Sequence, residues 1–148
     1  MREIKFRGKD IENDNPWRYG SLITYPSGCT SIIGFDKLGN ELNHDVDPDT
    51  VGQFTGLKDK NGKEIYEGDL IKAPSGRIYA VIFSTWKHEE KRDFPKVIDL
   101  YEHTGWCISL DGVNPCELLD SEVCQGSVIG SVYDNPELLK GGNHESNI

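Results

Sequence analysis

Between Thr50 and Lys72 the chain reads TVGQFTGLKDKNGKEIYEGDLIK, and no part of it runs far before a turn residue interrupts. Gly56, the Asn61-Gly62 pair and Gly68 each stop a short apolar stretch. A helix of ordinary length has no room, and short strands reversing at tight turns are what remains. Asn61-Gly62 predicts a two-residue type I′ hairpin turn, because both central positions need positive φ, which Asn tolerates and Gly adopts freely. On this reading GQFTGL returns as KEIY, and Gly68 permits a sharp reversal into DLIK.

The same punctuation extends in both directions. EIKFRG alternates with period two, which predicts a first strand with Ile4 and Phe6 on one face and Lys5 and Arg7 toward water. WRYGSLITY follows the turn NDNP, PSG closes it, and CTSIIGF is a third strand, after which Gly39-Asn40 suits a two-residue hairpin turn. RIYAVIFSTW is the longest β-branched and aromatic run. WKHEEKRDFPK then reads as a loop, KVIDLY and GWCISL as two strands, and GSVIGSVYD as the last. Helical signal is confined to NPCELLDSEV, with Pro115 in its first turn, and to one turn at NPELL.

Many short strands without a long amphipathic helix predict a mainly β protein, with a small barrel or packed β-sheets as the two candidate architectures. Residues 1–139 are read as a single domain, with an N-terminal β subdomain separated near Asp45–Thr50, and residues 140–148 as a flexible tail. At 148 residues, with 36% apolar residues, the chain has material for a core without disulfides.

Charge narrows the partners. The formal net charge is −9, and Tyr101 to Ile148 carries eight acids against one base. Such a surface repels a phosphate backbone and anionic lipid, so nonspecific nucleic-acid or membrane binding by the whole surface is disfavoured. Local basic patches would have to draw on Lys58, Lys60 and Lys63, or on Lys87, Lys91, Arg92 and Lys96, where neighbouring acids cancel them. No run approaches the roughly 20 apolar residues of a membrane helix, and MREIKFRGKD lacks the apolar core of a signal peptide. A cytoplasmic protein with reduced Cys29, Cys107, Cys116 and Cys124 is the expectation.

Candidate chemistry fails on spacing. Asp45, Asp47 and Asp49 match the first, third and fifth places of a calcium loop, but Thr50 stands where its glycine belongs and Gly56 where its bidentate glutamate belongs. His103, Cys107, Cys116 and Cys124 are acceptable zinc ligands without the close Cys pair of a structural site. GSVIG is not a nucleophile elbow, and no phosphate-binding loop occurs. Glu67 and Asp69 are read as turn and strand-start chemistry rather than an acid–base pair. Trp17, Tyr19, Trp86, Tyr101 and Trp106 are read as core before a base-stacking platform. No catalytic residue, metal ligand or cofactor is assigned.

The combination of IKFRGKD, WRYGSLI, DPDTVGQFTGLKDKNGKEIYEGDLIK and VIGSVYDNPELL, in that order from Ile4 to Leu139, resembles the YopX family of phage and prophage proteins. The resemblance implies a mostly β protein active inside a bacterial host cell, and it implies no catalytic residues. Its signature positions here are Gly56, Asn61, Gly62, Glu67, Gly68, Asp69, Gly130, Tyr133, Asp134, Asn135 and Pro136, read as folding determinants. Together these readings point to a noncatalytic binding module acting on a host or phage protein, its specificity lying in the region between the shared motifs. A nucleic-acid-associated accessory protein and an enzyme whose groups converge only in space are the alternatives. Exposed strand edges favour a homo-oligomer, with no residue fixing the number of subunits.

Overall fold

The computed structural model describes the backbone of residues 2–142 and the side chains of residues 2–139. Residues 143–148, most of the expected tail, lie outside the described residues. The chain runs β1 (Phe6–Lys9), β2 (Trp17–Thr24), β3 (Thr30–Phe35), β4 (Glu41–Val46), a 3₁₀ turn (Pro48–Thr50), β5 (Gly52–Lys58), β6 (Glu64–Tyr66), β7 (Asp69–Lys72), β8 (Ile78–Asp93), β9 (Lys96–Ser109), β10 (Glu117–Leu118), α1 (Ser121–Cys124), β11 (Ser127–Ser131) and α2 (Glu137–Gly142). The protein is mainly β, as its turn punctuation predicts.

The strands form two antiparallel sheets, ordered β4-β3-β2-β1-β5-β6 and β10-β9-β8-β7-β11. Among the described residues neither sheet closes into a barrel, so of the two candidate architectures the open sheets are the one adopted. The chain passes from one sheet to the other at Glu67-Gly68, between β6 and β7.

One turn design recurs at four strand reversals. In Tyr25–Cys29, Asp36–Asn40, Asp59–Lys63 and Ala73–Arg77 the first residue donates its N–H to the carbonyl of the fifth and accepts the N–H of the fourth, at 2.8–3.0 Å. The fourth residue is Gly28, Gly39, Gly62 or Gly76, each with φ between 79° and 93°. This is the three-residue hairpin loop with glycine in the left-handed position, not the type I′ pair expected at Asn61-Gly62 or the two-residue turn expected at Gly39-Asn40. Only Gly62 of the Asn61-Gly62 pair takes a positive φ. Asp36 Oδ1 and Asp59 Oδ1 each accept two backbone N–H groups inside their own turns, which fixes the loop that glycine makes sterically allowed.

The core gathers around the second sheet. Ile71, Val81 and Ile108 from β7, β8 and β9 pack with Val123 of α1, and Ile65 of β6 joins them from the first sheet. Leu70, Ile78 and Ala80 form a second cluster, covered by Val132, Leu138 and Leu139.

Three local expectations are corrected. Arg7 is buried and Ile4 is exposed, the reverse of the predicted faces, because the guanidinium has a buried partner in the other sheet. WKHEEKRDFPK is not a loop, and KVIDLY and GWCISL are one strand: β8 and β9 pair without a break from Ala80↔Ser109 to Asp93↔Lys96, around a turn at Phe94-Pro95. NPCELLDSEV is not one helix either. Cys116 N–H and Leu119 N–H bond to the Ile108 and Trp106 carbonyls, so the segment first lies along β9 as β10, and only then does Asp120 Oδ1 accept from Val123 N–H and start α1. Long-range backbone pairing overrides weak helical periodicity.

Ile108 is fully buried, whereas Phe94 at the turn of the long hairpin is 98% exposed. Ile108→Ala should therefore cost about 2–5 kcal/mol and Phe94→Ala under about 0.5 kcal/mol, read as shifts in the urea midpoint.

Candidate functional site

Residues from four separate stretches meet where the sheets join. Arg7 Nη2 of β1 lies 2.8 Å from Asp69 Oδ1 of β7, and both side chains are almost wholly buried. The guanidinium also sits 4.2 Å from the Trp17 ring centre and 5.1 Å from that of Tyr66, where the ring faces attract positive charge. The second oxygen of Asp69 accepts the Tyr66 backbone N–H at 2.7 Å. Burial pushes the Asp69 carboxyl up, opposed by Arg7 and the Tyr66 N–H, with burial the larger effect. Arg7 Nε and Nη2 have no aligned hydrogen-bond acceptor, so the pair is held by charge and ring faces rather than by a fork of hydrogen bonds.

A second tie lies beside it. Lys9 of β1 pairs with Asp134 just after β11, and Trp17 Nε1–H donates to Asp134 Oδ2 at 3.1 Å. Burial raises this carboxyl, but Lys9, Trp17 and Ser131 together hold it below its ordinary range. Tyr133 packs edge-on to Trp17 and lies over Gly68, where a Cβ would come within 2.9 Å of the ring. Gly68 also has φ 91° and accepts the Val132 N–H. Asn135 closes the turn after β11: its Oδ1 accepts the Ser131 N–H, and a Cβ on Gly130 would come within 2.3 Å of that oxygen. Pro136 follows, before α2.

The remaining signature positions are local. Gly56 has φ 88° where the β5–β6 register shifts. Glu67 is half-buried, and burial raises its carboxyl against a backbone N–H from Gln53. Asp59, which the sequence reading passed over, is buried in the Asn61-Gly62 turn, and its second oxygen accepts the Val128 N–H of β11 at 2.9 Å. Burial raises that carboxyl, but the N–H groups of Val128, Lys63 and Asn61 hold it below the usual range. The signal was present in principle: an Asp opening a turn that ends in glycine is a side-chain acceptor awaiting N–H groups. Arg7 and Tyr66 were missed because a lone Arg in an alternating strand reads as solvated.

The other candidates do not converge. Asp45 accepts from Ser31 Oγ, and Asp47 caps the 3₁₀ turn through the Asp49 N–H. His103 is on β9 in the long hairpin, Cys107 is buried further along β9, Cys116 is exposed and Cys124 ends α1. Among the described residues no three His, Cys, Asp or Glu side chains are placed to share a metal ion. A cleft of about 430 Å³ lies beside Asp10, whose buried carboxylate accepts the Glu12 N–H and Arg18 Nε–H and lies 3.4 Å from His44 Nδ1.

The outer part of the β8–β9 hairpin is exposed, while its base is buried in the second sheet. β7 pairs with β8 only from Ile78 to Ala80, and β10 pairs with β9 only at Cys107 and Ile108. Beyond Ser84 and Gly105 the two strands pair with one another and with no other strand among the described residues. This ribbon spans Ser84–Asp93 and Lys96–Gly105. One face carries a run of stacked rings: Trp86 lies 5.2 Å from His88 and 6.1 Å from His103, and His88 lies 6.0 Å from Tyr101. Trp86 Nε1–H is anchored to the Cys116 carbonyl. The other face exposes Ile98 and Leu100. Lys87, Lys91, Arg92 and Lys96 all lie on the ribbon, among Glu89, Glu90, Asp93, Asp99 and Glu102. Lys58, Lys60 and Lys63 are exposed at and beside the Asp59–Lys63 turn.

The sequence profile of the YopX protein family matches residues 5–140, and the chain belongs to that family. Among solved structures it is similar to the crystal structure of protein EF1440 from Enterococcus faecalis, with 22% identity over 94% of this chain and 99% of that one and a TM-score of 0.44. No curated protein matches the chain. Among the described residues no helix is long and apolar enough to cross a membrane.

Two outcomes follow from the joint. Arg7→Met leaves Asp69 buried without its counter-charge and should cost about 3–5 kcal/mol in urea unfolding. Asp59 and Asp134, with carboxyls held low in the folded state, contribute stability that is present above the unfolded carboxylate range and lost as pH falls through their folded values. Asp69 and Glu67, raised by burial, act in the opposite direction, so the test is the difference: Asp59→Asn should show a shallower fall of the urea midpoint below about pH 4 than the wild-type chain.

Proposed function

We propose that the protein is a noncatalytic binding module that engages another protein, of host or phage origin, through the β8–β9 ribbon. The observation that carries this reading is the ribbon itself. Among the described residues it has two open strand edges, a run of stacked rings on one face and apolar side chains on the other. A two-stranded ribbon without a third strand or a covering helix is marginally stable in water, and open edges with adjacent apolar groups are what strand-addition partners use. The strongly acidic C-terminal third adds a surface suited to a basic partner. The signature residues at the sheet junction have intramolecular partners, Asp69 on Arg7, Asp134 on Lys9 and Trp17, and Tyr133 over Gly68, which supports a folding role for them and leaves recognition to the ribbon.

A second reading, nucleic-acid binding, draws on the stacked rings, because bases stack on such a face irrespective of sequence. Charge weighs against it. Between Ser84 and Gly105 five acids outnumber four bases.

Affinity capture from lysate of the bacterial host, with and without nuclease, should recover a protein near stoichiometry that nuclease leaves in place. His88→Ala combined with Tyr101→Ala should weaken that capture about tenfold or more without changing the fold. Capture indifferent to both changes would remove the ribbon from the reading. Recovery of nucleic acid, released steeply by salt, would favour the second reading.

A further inference from the structure

The outer edge of β9 is open from Lys96 to Gly105 among the described residues, since β10 covers the strand only at Cys107 and Ile108. Three large apolar side chains crowd this stretch: Ile98 is 59% exposed, Leu100 75% and Tyr101 42%. A row of unpaired N–H and C=O groups next to exposed apolar side chains is a template for another strand. β8 offers a poorer one. Its one large apolar side chain between Ser84 and Asp93 is Trp86, already stacked on His88 and bonded to the Cys116 carbonyl.

We propose that this edge pairs antiparallel with the same edge of a second copy, about a two-fold axis passing by Asp99, so that two ribbons form one four-stranded sheet. The occupant follows from the order of residues in KVIDLYE, Lys96 to Glu102. About that axis Lys96 faces Glu102, Val97 faces Tyr101 and Ile98 faces Leu100, and the symmetry makes each pair twice. Opposite charges and apolar groups directly across a strand pair are both stabilising. Moving the axis to Leu100 sets Ile98 against Glu102 and Lys96 against Thr104. Moving it to Ile98 sets Lys96 against Leu100 and Val97 against Asp99. Both shifts lose the charge match and keep one apolar pair, Leu100 or Ile98 against itself on the axis, in place of the four apolar pairs of the Asp99 register, so the register is selected by the side chains.

On one face of the joined sheet, Ile98 and Leu100 of each copy would form a single apolar strip bounded at both ends by Lys96–Glu102 pairs. The unfavourable element is Asp99 opposite Asp99. Each of these carboxylates is held by its own ribbon's Arg92, with Nε 2.9 Å from Oδ2, so two neutralised pairs meet at the axis rather than two bare charges. A two-fold contact is self-complementary by construction, which is the property the sequence of this edge has.

Charge reversal separates this contact from every intrachain effect. Within one ribbon Glu102 lies across from Lys87 and Lys96 across from Asp93, so Glu102→Lys and Lys96→Glu each worsen intrachain pairing, and the double variant worsens both. In the dimer each single change sets like charges against each other twice, whereas the double variant restores opposite charges. Sedimentation equilibrium should show a wild-type dimer, each single variant dissociating about tenfold or more readily, and the double variant returning toward wild type.

A second measurement does not depend on those charges. Asp99→Cys, in a background with the exposed Cys29 and Cys116 changed to Ser, should crosslink between copies on mild oxidation, because directly opposed residues of an antiparallel pair lie about 4.5–5.5 Å apart at Cα, within disulfide reach. Lys87→Cys in the same background should not. A wild-type chain that stays monomeric at about 100 times the concentration of an ordinary micromolar dimer constant would overturn the inference. So would a dimer indifferent to both single reversals, or one in which Asp99→Cys fails to crosslink. The inference stands apart from the partner reading: a monomer that still captures its protein overturns this contact alone, and a dimer that captures nothing overturns the partner reading alone.

Discussion

A guanidinium removed from water must be answered by charge or by hydrogen-bond acceptors, and in this protein Arg7 is answered from the other sheet. Its partner Asp69 opens β7, and the aromatic faces that cover it belong to β2 and β6. The position of one side chain thus commits four strands to a common geometry. Such a pair gains little over a well-packed apolar contact, since both ions give up their hydration, but it tolerates no partner of the wrong charge or in the wrong place. Lys9, Trp17 and Asp134 repeat the arrangement one step away and tie together motifs far apart in the chain.

Around that joint the molecule is built from a single local device. Four reversals use the same loop, with glycine in the left-handed position and, in two of them, an aspartate gathering the N–H groups that the loop leaves free. Asp59 extends the device beyond its own turn by reaching the Val128 N–H of β11 with its second oxygen. A turn residue thereby becomes a tertiary clamp, and it does so through chemistry already required for the turn.

The β8–β9 ribbon departs from this economy. Its base shares the core of the second sheet through Val81 and Ile108, while its outer part exposes rings and apolar groups and, among the described residues, leaves two strand edges unpaired. Natural sheets usually blunt such edges with charge, and the alternating acids and bases along the ribbon do so in part. On β9, Lys96 and Glu102 flank apolar residues on either side of Asp99, whose charge Arg92 answers, and they match each other under a two-fold rotation at Asp99. That pattern protects against indiscriminate pairing while permitting one register.

Strand content, turn positions and the placement of glycines were legible in the sequence, because period-two alternation and left-handed φ are properties of a few adjacent residues. What adjacent residues could not show was the company each one keeps. Arg7 reads as solvated until Asp69 is brought to it, and WKHEEKRDFPK reads as a loop until Lys96–Ser109 is laid alongside β8. Asn61-Gly62 announces a reversal, but its turn type was settled by Asp59 and by the register of β5 against β6. The sequence by itself determined a chain of short strands and tight turns; only the tertiary structure decided which charges are buried, which strand edges stay open and which turn residue clamps a distant strand, because each depends on groups separated by tens of residues meeting out of water.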